Sequence, residues 1–146
     1  MSTTGLEVFD RTLQITHIWL DEIMETVGPD RNVAWHALGA VLRSLRDRLP
    51  PELAAHLAAQ LPLLVRGTYY DRYRPGHVAH KVHSEHEFLN CVADDLGGIR
   101  PIDLREATRC VMAVLSHHVT PEQVEKVLRA LPEGIRQLWP EPGEAP

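Results

Sequence analysis

Leu6, Phe9, Leu13, Leu20, Ile23 and Val27 recur at alternating steps of three and four residues, with one interruption at Thr16. That spacing predicts an amphipathic helix over about residues 5–27, ended by Gly28-Pro29. Asp30 is placed to cap a second helix, whose buried face reads Val33, Ala37, Val41, Leu42, Leu45 and Leu49. Pro50-Pro51 stops that helix, and Pro51 suits the first position of the next. Leu53, Leu57 and Leu61 line a short third helix. Pro62 then interrupts the backbone hydrogen bonding and starts a new turn carrying Val65 and Tyr69.

The second half carries clearer start signals. Ser84 with Glu87, Asp103 with Glu106, and Thr120 with Gln123 each fit a reciprocal capping box. Pro121 and Pro132 repeat the placement of Pro51 and Pro62. Between the halves, residues 71–83 read as a linker with a turn at Pro75-Gly76, and residues 141–146 as a tail expected to fray. No alternation of strand period runs for a useful length, so the expected class is all-α.

The halves also resemble each other. Leu61–Tyr69 aligns with Leu131–Trp139 at an offset of 70. Ala34, Ala37, Ala40, Val41 and Leu42 align with Ala107, Cys110, Ala113, Val114 and Leu115 at an offset of 73. Trp19, Leu20 and Ile23 align with Phe88, Leu89 and Val92 at an offset of 69. Pro62, Arg66 and Tyr69 thereby correspond to Pro132, Arg136 and Trp139. The expectation is a tandem duplication of a three-helix unit, residues 5–70 and 84–140, packed as one helical bundle with pseudo-twofold symmetry.

Composition narrows the function more than it names one. A chain of 146 residues is the size of a single domain. Aromatic content of only 5% leaves the core to Leu, Val, Ile and Ala, which favour helix packing. The net charge of −5 argues against nucleic acid as the main partner. Charge is uneven: residues 31–74 carry seven arginines against Asp47, Glu52 and Asp71, a balance of +4, while both flanks are acidic. Two cysteines, Cys91 and Cys110, stand in helical patterns without metal or redox spacing, which fits a reducing cytoplasm. No apolar run approaches the roughly 20 residues that cross a bilayer.

Candidate chemistry is sparse. His77, His80, His83 and His86 place four imidazoles at intervals of three, a candidate site for zinc or another divalent transition metal if the backbone were helical there. Weighed against this, the predicted cap at Ser84 leaves three of them in the linker, where they read as solvated, titratable side chains. His117-His118 sits at a helix end, where His118 is expected to bond the last carbonyls. Arg66 and Arg136 read as matched structural residues, each in an ion pair or bonding helix-end carbonyls, and the alternative is a pair of anion-binding guanidiniums. Arg43 and Arg46 on a helix face, with Tyr70 and Tyr73 near the linker, are candidate contacts for a protein partner or a second copy. Tyr69 and Trp139 are expected in the core. No Gly-rich phosphate loop, Gly-x-Ser-x-Gly elbow or His-Glu-x-x-His appears. Asp94 and Asp95 point about 100° apart on a helix and make no acid pair. No catalytic residue is assigned and no cofactor is required.

Ala59-Gln60-Leu61-Pro62, Arg66-Gly67-Thr68-Tyr69-Tyr70, Val114-Leu115-Ser116-His117-His118-Val119-Thr120-Pro121-Glu122, Ala130-Leu131-Pro132 and Leu138-Trp139-Pro140 together resemble a family of uncharacterised bacterial proteins, the domain of unknown function 2267. The resemblance runs from about Leu6 to Pro140. It implies a small cytoplasmic helical protein of bacterial origin and supplies no catalytic residue. The expected function is a non-catalytic module for protein interaction or self-association, with divalent-metal binding by the histidine-rich linker as the alternative.

Overall fold

Helix starts and stops follow the side-chain chemistry closely. In the computed structural model, which describes residues 2–75, 82–98 and 102–141, α1 spans Glu7–Val27 and stops at Gly28. Gly28 has φ of 108°, a region that costs a residue with a Cβ, and its N–H closes the helix on the Met24 carbonyl at 3.0 Å. The Asp30 carboxylate caps α2 (Arg31–Arg46) by accepting from the N–H groups of Asn32 and Val33 at 2.9 and 3.4 Å. Such a cap contributes about 1 kcal/mol.

Proline punctuates the short helices. Pro51 opens α3 (Pro51–Ala58) and Pro121 opens α7 (Pro121–Ala130), where the missing N–H has no bond to lose. Pro62 and Pro132 stand immediately before α4 (Leu63–Tyr70) and α8 (Glu133–Arg136). Between them lie α5 (Glu85–Leu96) and α6 (Leu104–His118). All eight elements are helices, and no strand occurs among the described residues.

Of the three expected capping boxes, the one at Ser84 is fully reciprocal. Asp103 accepts from the Glu106 N–H at 3.0 Å, and Thr120 Oγ1 accepts from the Gln123 N–H at 3.4 Å. The return bond at Thr120 goes elsewhere. Its own N–H donates to Gln60 Oε1 at 2.8 Å, and Gln60 Nε2 donates back to Thr120 Oγ1 at 3.1 Å. A residue 60 positions away therefore completes this helix start, consistent with the packing of α3 on α7.

The two middle helices organise the rest. α2 packs on α1, α4, α5 and α6, and α6 packs on α1, α2, α5 and α7. Small side chains at Ala34, Ala37, Gly39 and Ala40 on α2, and at Ala107 and Cys110 on α6, let these crossings close up. Around them Trp19, Ile23, Leu38, Leu42, Tyr69, Phe88, Met112, Leu115 and Ile135 are fully buried. α8 presses on the entry to α5 so tightly that a Cβ on Gly134 would stand 2.6 Å from the His83 carbonyl oxygen.

α1 departs from its expected face. Leu6, Phe9 and Leu13 are 51%, 49% and 38% exposed, while Thr12, Thr16, Trp19, Leu20 and Ile23 are buried. The causes are length and, for Leu13, which lies about 100° round the helix from the buried Thr12, a place at the edge of the covered face. α1 has 21 residues, about 31 Å, against 12 in α5, and its first two turns project past the helices that cover the remainder. Cover starts at Thr12, whose hydroxyl accepts from the Leu64 N–H at 3.3 Å.

Candidate functional site

Arg43 and Arg46 lie one turn apart on α2, and both guanidiniums turn into the protein. Arg43 forks onto Asp95 of α5, with Nε to Oδ2 at 2.9 Å and Nη2 to Oδ1 at 2.7 Å. Its Nη1 also donates to the Thr68 carbonyl and hydroxyl at 3.1 and 2.7 Å. Gly39, one turn earlier, leaves the room for this: a Cβ there would meet Arg43 Nη1 and Thr68 Oγ1 at 2.9 Å each. Burial alone would raise the Asp95 pKa. The Arg43 hydrogen bonds and charge, with Arg72 at 3.6 Å, outweigh it and hold the carboxyl below its usual range. Asp94, its neighbour, faces solvent.

Arg46 is buried and serves the end of α4. Its Nη1 donates to the carbonyls of Tyr69 and Asp71 at 2.8 and 2.7 Å, and its guanidinium carbon stands 4.9 Å from the centre of the Tyr73 ring. Tyr69 sits in the core with its hydroxyl donating to the Ala54 carbonyl at 2.8 Å, and burial drives its pKa strongly upward. Tyr73 is half-buried, and burial raises its pKa too. Among the four proposed contact residues, Tyr70 alone presents an exposed side chain.

Arg66 and Arg136 make corresponding bonds in the two halves. Arg66 Nε donates to the Ala58 carbonyl at 2.9 Å and Nη2 to that of Leu61 at 3.0 Å. Arg136 Nε donates to the Leu128 carbonyl at 3.0 Å and Nη2 to that of Leu131 at 2.8 Å. Each guanidinium thus binds two carbonyls at the Leu-Pro step where the preceding helix ends, those of Ala58 and Leu128 also accepting from the N–H groups of Leu61 and Leu131 at 3.0 and 3.2 Å. Trp139 is buried, and its indole N–H donates to Ser116 Oγ at 2.7 Å.

The histidines distribute unexpectedly. His77 and His80 lie outside the described residues. His83 and His86 are both exposed, and the backbone N–H of His83 donates to Glu87 Oε1 at 3.4 Å. The grouping found among the described residues is instead Glu22 of α1 with His117 and His118 at the end of α6. His117 Nδ1 meets Glu22 Oε1, and His118 Nε2 meets Glu22 Oε2. The His118 ring stacks on the buried Trp19, with centroids 4.8 Å apart and planes at 17°. His118 therefore turns to a carboxylate across the helix interface, and not to the α6 carbonyls as expected. The helix end is closed by the Val119 N–H on the Leu115 carbonyl at 2.8 Å. Glu22 and His118 are 96 positions apart, and no local pattern in the sequence links them.

Close by, α6 lies directly on the α1 backbone, with Cys110 Sγ 3.9 Å from the Glu22 carbonyl. Burial pushes this thiol's pKa up, and both cysteines are free. A further surface feature is apolar: Leu6, Phe9 and Leu13 on the projecting end of α1, and Leu63 and Leu64 at the start of α4, which packs against α1.

These features define an all-helical protein in which Arg43, Arg46, Arg66 and Arg136 are bonded within its own fold. No helix among the described residues is long and apolar enough to cross a membrane. The chain belongs to the family described as uncharacterized conserved protein (DUF2267), whose family model matches residues 16–138. A comparison with curated proteins found no match.

Proposed function

We propose that this protein is a non-catalytic self-association module of the cytoplasm, and that it pairs through the projecting end of α1. The observation that carries this reading is the continuity of one helix face. At about 100° per residue, Phe9 falls between the buried Thr16 and Leu20 on α1, and Leu6 and Leu13 lie next to Leu20 at the edge of the buried face. A face that is core for three turns thus continues into solvent, flanked by the exposed Leu63 and Leu64. Contiguous apolar surface of this kind marks an interaction site. A second copy offers the same face, and a twofold pairing of α1 ends would cover both at once. Arg43 and Arg46 have no part in this surface, since their guanidiniums are committed within the chain.

The same reading takes the chain as a tandem duplicate with pseudo-twofold symmetry. The corresponding bonds of Arg66 and Arg136 support it, as do the exchanged packings of α1 on α6 and α5 on α2. The extension of α1 is then what distinguishes the first unit from the second.

Sedimentation equilibrium from micromolar to near-millimolar protein tests the proposal. The expected result is a reversible dimer, converted to monomer by Phe9→Ser/Leu13→Ser with unchanged far-ultraviolet circular dichroism. A wild-type monomer throughout that range rejects self-association through this face.

A further inference from the structure

The Glu22, His117 and His118 cluster goes beyond that reading, because it lies away from the projecting end of α1 and has a chemistry of its own. We propose that these three residues bind a divalent first-row transition ion, zinc fitting the donor set best. Their donor atoms, one carboxylate oxygen, His117 Nδ1 and His118 Nε2, all lie within 4.8 Å of one another. Ligand atoms around a tetrahedral zinc stand about 3.3 Å apart, so small side-chain rotations bring the three onto one ion.

Four features favour a cation here. Two imidazoles and one carboxylate match zinc and its neighbours, and a hard ion such as magnesium or calcium prefers all-oxygen sites. The stack on Trp19 fixes the plane of His118 and aims Nε2 at Glu22, which lowers the cost of ordering that ligand. The C-terminal turn of α6, carrying both histidines, is the negative end of a 15-residue helix dipole. His117 is 65% exposed at its side chain against 26% for Glu22, so the cluster is open to water at His117 for the remaining coordination positions. In the ion-bound form each ring presents a lone pair on the nitrogen that now faces Glu22, its proton residing on the other nitrogen. The ion would join α1 to α6, hence the first half of the chain to the second.

The test uses untagged full-length protein with Co²⁺ and Zn²⁺ as probes, followed by visible absorption and titration calorimetry. Expected are one equivalent of Co²⁺ with the intense bands of a four- or five-coordinate ion, displacement by Zn²⁺, and a saturable rise in Tm. Glu22→Gln and His118→Ala each weaken binding by about tenfold or more, since even loss of an outer contact to a ligand has that effect. His80→Ala/His83→Ala leaves it unchanged. Glu22→Gln is isosteric and keeps the test open should His118→Ala fail to fold. Absence of Co²⁺ and Zn²⁺ binding by the wild type overturns the proposal. So does binding that survives Glu22→Gln, or that is lost in the His80/His83 variant alone.

Discussion

Replacing Arg43 by leucine removes a fork of two hydrogen bonds to Asp95 and two more to Thr68. The Asp95 carboxylate would remain charged and largely enclosed, with the exposed Arg72 at 3.6 Å as its nearest compensation. Breaking a fully buried pair costs about 3–5 kcal/mol. Here the two side chains retain 11% and 17% exposure, so partial screening brings the expected loss to about 2–3 kcal/mol. For a chain of this size that corresponds to a fall in Tm of about 8 °C. Urea unfolding followed by circular dichroism should show a lower midpoint with an unchanged slope.

Asp95→Asn supplies the second corner of a double-mutant cycle, and the Arg43/Asp95 coupling should be about 1–2 kcal/mol. The pH dependence has a definite sign. Because the folded Asp95 pKa lies below its ordinary value, its stabilisation is complete above the unfolded pKa near about 4. It is lost as pH falls through the lower folded value. The gap between wild type and Asp95→Asn should therefore close below that pH and be constant above about pH 5. An Arg43→Leu variant within about 0.5 kcal/mol of wild type would refute this account, because it would mean the guanidinium is not engaged on Asp95.

Three further outcomes follow from single positions. Thr16 and Thr108 bury hydroxyls that lack a hydrogen-bond partner among the described residues, so Thr108→Val should be neutral to stabilising, by up to about 1 kcal/mol, in urea unfolding. Gly134→Ala forces a Cβ against the backbone of His83 and Ser84 and should cost about 2 kcal/mol or more, whereas Gly67→Ala, in open space on α4, should stabilise by about 0.5–1 kcal/mol. Arg66→Met and Arg136→Met should each cost about 1–2 kcal/mol by differential scanning calorimetry, and by similar amounts, because each removes two charge-assisted bonds at the same kind of helix end.

Helix positions were legible in the sequence because capping and proline chemistry act within a few residues. Asp30, Ser84, Asp103 and Thr120 all accept from the N–H groups expected of caps, and Pro51 and Pro121 open their helices. The fate of α1's apolar stripe was not legible. Periodicity identifies a face, but whether that face is covered depends on how far the neighbouring helices reach. Arg43 and Arg46 looked like surface charges for a similar reason: their carbonyl acceptors and the Asp95 carboxylate come from α4, its following turn and α5, 23 to 52 positions away. Histidine spacing drew attention to residues 77–86, while the converging pair was the adjacent His117-His118, whose third member lies on another helix. Its one visible signal was a doublet of imidazoles at a helix end.

The packing of α2 and α6 has a consequence for the chain's connectivity. Each of these helices has a large part of its apolar surface against partners encoded in the opposite half, α2 on α5 and α6, α6 on α1 and α2. Severing the peptide between residues 75 and 82 would leave two fragments, each with an uncovered central rod and no means of sealing it alone. Mixed together, they should reassemble as a noncovalent heterodimer whose midpoint rises with fragment concentration, which makes this fold a natural candidate for split-protein complementation.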